Sequence, residues 1–113
     1  MRKKILIVED DPLLADALAM LVEDDLACTP MMADSVSGAL PLLSDAVDLA
    51  LLDVEVRDGV TYPLASRLIG QGVPVLFVSG SDPARVPSDV SRVPFLRKPV
   101  PPTQLLSAAR QYL

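Results

Sequence analysis

The chain has 113 residues, half of them hydrophobic, with 10 Lys and Arg against 15 Asp and Glu, a formal net charge of −5, one cysteine and no histidine. That length suits one domain, since single domains cluster near about 100–150 residues, and the acidity disfavours a nucleic-acid partner, which calls for a basic face. Without histidine there is no Ser–His–Asp hydrolysis, no Cys–His proteolysis and no histidine-ligated metal; with Cys28 alone there is no intrachain disulfide and no structural thiolate zinc site, so Cys28 reads as a small buried residue.

Met1-Arg2-Lys3-Lys4 precedes an apolar run of only four residues before Glu9. That is too short for a secretory h-region or a membrane span, so a soluble, cytoplasmic protein with no membrane contact is expected. Lys4–Val8 is a continuous apolar run suited to a strand buried on both faces. Asp11-Pro12 starts a helix, with Asp as cap and Pro at the first helical position; Leu14, Leu18 and Leu21 give its apolar face, and Glu23-Asp24-Asp25 end it. Ala27–Ala33 is a second strand weakened by Pro30. Asp34 or Ser35 caps a second helix through about Leu43, in which Pro41 costs about 3 kcal/mol or imposes a kink.

Asp48–Asp53 is the third strand and Arg57-Asp58-Gly59 a loop. A third helix runs from Thr61 to about Gln71, with Pro63 in its first turn and Gly72 as its C-terminal cap. Val73–Ser79 is the fourth strand. Ser81–Ser91 should hold a fourth helix, interrupted by Pro83 and Pro87. Pro94–Lys98 is the fifth strand and Pro102–Leu113 the last helix. Five strands alternating with helices predict a doubly wound, parallel α/β sheet in one domain over 1–113.

Each strand with a polar end carries that group at its carboxyl end. Ile5-Leu6-Ile7-Val8 runs into Glu9-Asp10-Asp11, Leu49-Ala50-Leu51-Leu52 into Asp53, Val75-Leu76-Phe77-Val78 into Ser79-Gly80, and Phe95-Leu96-Arg97 into Lys98-Pro99. Sites in open parallel sheets form outside the carboxyl ends of the strands, so these groups should converge on one cation and phosphoryl site. Clustered carboxylates with room for water suit a hard divalent cation such as Mg²⁺. Phosphoryl transfer asks mainly for positioning and charge neutralisation, which the cation and the compact charge of Lys98 would supply. Taken singly, Ser79 starts a turn, Lys98 is a solvated strand-end charge, Asp53 caps a loop and Asp11 caps a helix; the joint pattern is what points to a site.

In this order, the segments Ile5-Leu6-Ile7-Val8-Glu9-Asp10, Leu51-Leu52-Asp53, Phe77-Val78-Ser79-Gly80 and Phe95-Leu96-Arg97-Lys98-Pro99 resemble the receiver domain of two-component response regulators over essentially the whole chain. The resemblance implies a flavodoxin-like fold of five parallel strands. It makes Asp53 the phosphoacceptor, served by a phosphohistidine of a histidine kinase or histidine phosphotransfer protein. It assigns Mg²⁺ to Glu9, Asp10 and Asp53, with Asp10 a direct ligand, Glu9 acting through water and the backbone carbonyl of Glu55 completing the set. Ser79 and Lys98 would bond phosphoryl oxygens, Phe95 would be the aromatic switch residue, and Lys98–Pro99 would be a cis peptide, which X–Pro bonds reach at modest cost.

The chain departs from the common receiver pattern in places. Ser79 stands where Thr is commoner, and Arg57 stands where Pro usually follows the phosphoacceptor by four residues. Glu55 puts an acid beside the site, where it either repels an incoming phosphoryl group or orders a water. The fourth strand is similar to the subgroup reading Phe-Ala-Thr-Gly, whose fourth helix is often poorly formed. The expectation is a stand-alone receiver, monomer or weak dimer, that signals through a protein effector and is not a turnover enzyme. Two alternatives stand beside it: a haloacid-dehalogenase-like phosphatase, from the faint echo in Asp53-Val54-Glu55-Val56, and a degenerate receiver that works as a phosphorylation-independent interaction module.

Overall fold

The computed structural model describes residues 2–113; Met1, the first residue of the basic start, lies outside them. Five parallel strands, β1 (Lys4–Val8), β2 (Thr29–Ala33), β3 (Leu49–Leu52), β6 (Val75–Ser79) and β7 (Phe95–Arg97), form one sheet in the order β2-β1-β3-β6-β7. This is the flavodoxin-like doubly wound order, in which the chain switches direction between β1 and β3. Helices α1 (Pro12–Asp24), α2 (Val36–Ala39), α3 (Tyr62–Gly70) and α4 (Pro102–Arg110) cover its two faces.

The two-residue period of the strands divides the core in two. Ile5, Ile7, Leu49, Leu51, Leu76, Val78 and Leu96 point to one face, where Leu18 and Val22 of α1 and Leu105 and Ala109 of α4 pack. Leu6, Val8, Ala50, Leu52, Val75 and Phe77 point to the other, against Ala39 of α2 and Leu64, Ala65 and Leu68 of α3. With both faces covered, the central strands are apolar throughout, as a buried parallel sheet requires.

Several local features depart from the expectations. The buried stripe of α1 is Ala15, Leu18 and Val22, flanked by half-buried Leu14 and Leu21. Pro41 does not sit inside an α-helix: α2 ends at Ala39, and a 3-10 turn over Leu40–Ser44 follows with Pro41 in its first turn, where the missing N–H costs nothing. Pro30 is tolerated because β2 is the sheet edge. The loop after β3 carries a two-stranded antiparallel ribbon, β4 (Glu55–Val56) with β5 (Gly59–Val60). The weak fourth helix is no α-helix; two 3-10 turns, Pro83–Arg85 and Ser88–Val90, take its place. Pro83 and Pro87 each remove a backbone donor that an α-helix would need. Among the described residues, no helix is long and apolar enough to cross a membrane.

Candidate functional site

The register of the sheet brings the polar strand ends level. Val8 pairs with Leu52 and Leu52 with Phe77, so Glu9 and Asp53 emerge side by side from β1 and β3. The Asp53 amide donates to the Val8 carbonyl at 3.0 Å. One strand further, Ser79 pairs with Arg97, and the Lys98 amide donates to the Ser79 carbonyl at 2.9 Å, which places Lys98 beside the end of β6.

Lys98 is the electrostatic hub. Its Nζ lies 2.7 Å from Glu9 Oε1 and 2.8 Å from Asp53 Oδ2. Burial by itself would lower the Lys98 pKa, but the hydrogen bonds to Asp53 and then Glu9 outweigh it and the net shift is upward. Glu9, only 3 % exposed, moves up as well, chiefly because burial penalises its charge. Its bonds from Lys98 and from the Asp11 amide oppose that shift, and the neighbouring Asp53 charge adds to it. The other Asp53 oxygen, Oδ1, accepts from the Val54 amide at 2.7 Å, so both carboxylate oxygens are held in place.

One carboxylate oxygen from each of Glu9, Asp10 and Asp53 lies within 4.8 Å of the others. Asp10 is the most solvent-open of the three. Three hard oxygen donors with one side open to water fit Mg²⁺, which keeps several waters and takes few protein ligands. Asp11 is not free for such a role. Its Oδ1 caps α1 by accepting from the Leu13 amide at 3.0 Å.

A cleft of about 550 Å³ opens over Asp53, walled by Glu55, Tyr62, Ser79, Asp82 and Arg85. Ser79 is buried, and its Oγ accepts from the Ser81 amide at 3.2 Å. Phe95 is half-buried, its ring centroid 5.9 Å from that of Phe77; Phe77 meets Tyr62 edge-on at 5.8 Å. Burial, then the Glu55 charge, raise the Tyr62 pKa, and the Arg85 charge opposes them. The Lys98–Pro99 peptide is cis.

Three residues in or around the site were not singled out for it in the sequence. Thr61 is completely buried and its hydroxyl donates to the Asp53 backbone carbonyl. A Thr before a helix reads as an N-cap, yet Thr61 makes no such bond to α3. Asp58 reaches across to α2 and accepts from the amides of Val36 at 2.7 Å and Ser37 at 3.0 Å. Arg85 enters the cleft from the 3-10 turn after β6. Nothing in the local sequence of Asp58 or Arg85 announces a contact that depends on a distant element.

No protein-family profile matches the sequence, and no curated protein matches it. Solved structures do. The chain is 35 % identical to SdrG from Sphingomonas melonis Fr1, with 96 % of this chain and 94 % of that one covered and a TM-score of 0.79. It is 26 % identical to the non-phosphorylated HemR receiver domain from Leptospira biflexa, covering 98 % and 94 % at a TM-score of 0.84. At 18 % identity it shares the fold of the response regulator TrrA from Thermotoga maritima, solved in complex with Mg²⁺ and BeF, covering 98 % and 99 % at a TM-score of 0.85. With the sheet order 2-1-3-4-5 of doubly wound proteins, acid pair, Asp, Ser and Lys at the strand ends, and these relatives matched end to end, the chain belongs to the receiver-domain family of response regulators.

Proposed function

We propose that Asp53 accepts a phosphoryl group from a phosphohistidine of a histidine kinase or histidine phosphotransfer protein, with Mg²⁺ held by Glu9, Asp10 and Asp53 and by the backbone carbonyl of Glu55. The observation that carries this reading is the Lys98 ammonium bridging Glu9 and Asp53, with carboxylate oxygens of Glu9, Asp10 and Asp53 within 4.8 Å of one another and a cleft open over Asp53. A carboxylate oxygen of Asp53 attacks phosphorus, the new O–P bond forms, and the N–P bond breaks with its electron pair left on the donor's imidazole. Bound Mg²⁺ supplies charge neutralisation for the transferring group. Lys98 supplies the rest: a neutral acyl oxygen is a poorer acceptor than a carboxylate, so the ammonium moves its bond to a phosphoryl oxygen. The Ser79 hydroxyl bonds a second one.

The chain is not a turnover enzyme on this reading, and its output is a protein contact. Phosphorylation biases the surface from Ser81 to Leu113, with Ser79 beside it and Phe95 and Lys98 on it. A phosphoryl group shifts that surface by its differential affinity for two states, and coupling of this kind is typically about 1–3 kcal/mol. Incubation with acetyl phosphate and Mg²⁺ should add one phosphate, Asp53→Asn should abolish it, and small phosphate esters should not be turned over. Equal labelling of the variant, or multiple-turnover ester hydrolysis, would refute the proposal. A pull-down with the phosphorylated and Asp53→Asn forms should recover partners in a state-dependent way.

A further inference from the structure

The cleft over Asp53 is unbalanced in charge. Asp53, Glu55 and Asp82 line it, and Arg85 is the one cation among its lining residues. Lys98, which is not among those lining residues, already serves Glu9 and Asp53. Arg85 makes no ion pair and no side-chain hydrogen bond among the described residues. A guanidinium that lines an acidic cleft without a partner has its donors free for an oxyanion that arrives there.

Local bonds shape the backbone that carries Arg85. Asp82 Oδ1 accepts from the Ala84 amide at 3.0 Å and the Asp82 carbonyl accepts from the Arg85 amide at 3.1 Å, which closes the Pro83–Arg85 turn. The same contact engages one oxygen of Asp82, and no ion pair joins Asp82 to Arg85 among the described residues. Pro83 fixes the entry to the turn. The Arg85 charge also reaches the Tyr62 hydroxyl across the cleft, where it opposes the effect of Glu55.

We propose that Arg85 is a second phosphoryl-binding cation, which closes over Asp53 once that residue carries a phosphoryl group and carries the 83–90 segment with it. This inference rests on the phosphoacceptor reading of Asp53. A phosphoryl group adds negative charge to a cleft that already holds three carboxylates, and it presents oxygens that a guanidinium grips in a fork. Arg85 thereby offsets Glu55, the acid that departs from the common receiver pattern.

Beryllofluoride with Mg²⁺, a stable phosphoryl mimic, tests this by fluorine NMR titration and hydrogen exchange on the whole chain. The variants are Arg85→Ala, Arg85→Lys, Arg92→Ala as a control just beyond the segment, and Asp53→Asn. Arg85→Ala should weaken beryllofluoride binding about tenfold, the scale of one charge-assisted hydrogen bond, with Arg85→Lys in between and Arg92→Ala unchanged. The gap between wild type and Arg85→Ala should shrink at high salt, which a structural defect would not do. Exchange in 83–90 should slow on loading in the wild type and stay fast in Arg85→Ala. Equal affinity and equal slowing in Arg85→Ala, with Asp53→Asn inert, would overturn the Arg85 inference alone. No response in the wild type, or a full response in Asp53→Asn, would overturn the phosphoacceptor reading and this inference with it.

Discussion

The buried Thr61 hydroxyl donates to the backbone carbonyl of Asp53, so the residue that starts α3 also fixes the chain at the end of β3. The two flank the short β4–β5 ribbon at its base, and the Thr61 amide donates to the Val54 carbonyl at 2.8 Å beside them. The ribbon is thus closed at its base. The Asp53 carboxylate inherits its aim from that closure as well as from Lys98 and the Val54 amide.

Thr61→Val keeps the volume and removes the donor. It should cost about 1–3 kcal/mol of stability, the range for a lost bond to a buried polar group, and should lower Tm by several degrees. Phosphorylation by acetyl phosphate should slow, and Thr61→Ser should restore most of both. Thermal melts and labelling rates matching the wild type would show that the hydroxyl holds nothing.

The acidic residues at the start of α1 divide their work. Asp10 contributes an oxygen to the carboxylate cluster, whereas the Asp11 carboxylate caps the helix. Asp10→Ala should weaken Mg²⁺ binding sharply in a calorimetric titration. Asp11→Ala should leave Mg²⁺ binding near the wild type and cost about 1 kcal/mol of stability, as a lost N-cap does. The reverse pattern would move the cation site by one residue.

Asp58 ties the loop after β3 to the start of α2. The amides of Ser37 and Val36 hold its carboxylate below the ordinary value of 3.8. A depressed carboxylate pKa stabilises the fold above the unfolded value, and that contribution is lost as pH falls through the lowered folded value. Asp58→Asn should therefore melt at lower temperature than the wild type at pH 7, with the gap closing in acid below pH 3.8. A gap that persists unchanged in acid would assign the effect to shape and not to charge.

The segment from Ser81 to Ser91 is held by short-range bonds: Val86 to Pro83, Val90 to Pro87 and Ser91 to Ser88. Val90, at 1 % exposure, is its one buried anchor. Few anchors and local bonds mean low local stability. Amide exchange across this segment should be fast in the unmodified protein and slow on phosphorylation. Strong protection before phosphorylation would contradict this.

Much of this was legible in the chain because the sheet is buried on both faces. Ile5 to Val8, Leu49 to Leu52 and Val75 to Val78 are uninterrupted apolar runs, and each ends at a polar residue that cannot be buried unpartnered. Those boundaries therefore locate Glu9, Asp53 and Ser79 directly. The β4–β5 ribbon was not legible, since two-residue strands carry no alternation to read. Pro41 read as a helix fault because sequence does not say that α2 has already ended. Thr61, Asp58 and Arg85 act on groups from other elements, and only the folded topology reveals those partners.

The central claim is that Asp53 itself carries the phosphoryl group. Borohydride reduction traps an aspartyl phosphate as homoserine, so the protein is incubated with acetyl phosphate and Mg²⁺, reduced, digested and read by peptide mass spectrometry. Homoserine at position 53, absent without Mg²⁺ or phosphodonor and absent in Asp53→Asn, is the expected result. Reduction at Asp10 or Asp11, or no trapped product while the protein carries phosphate, would contradict the account.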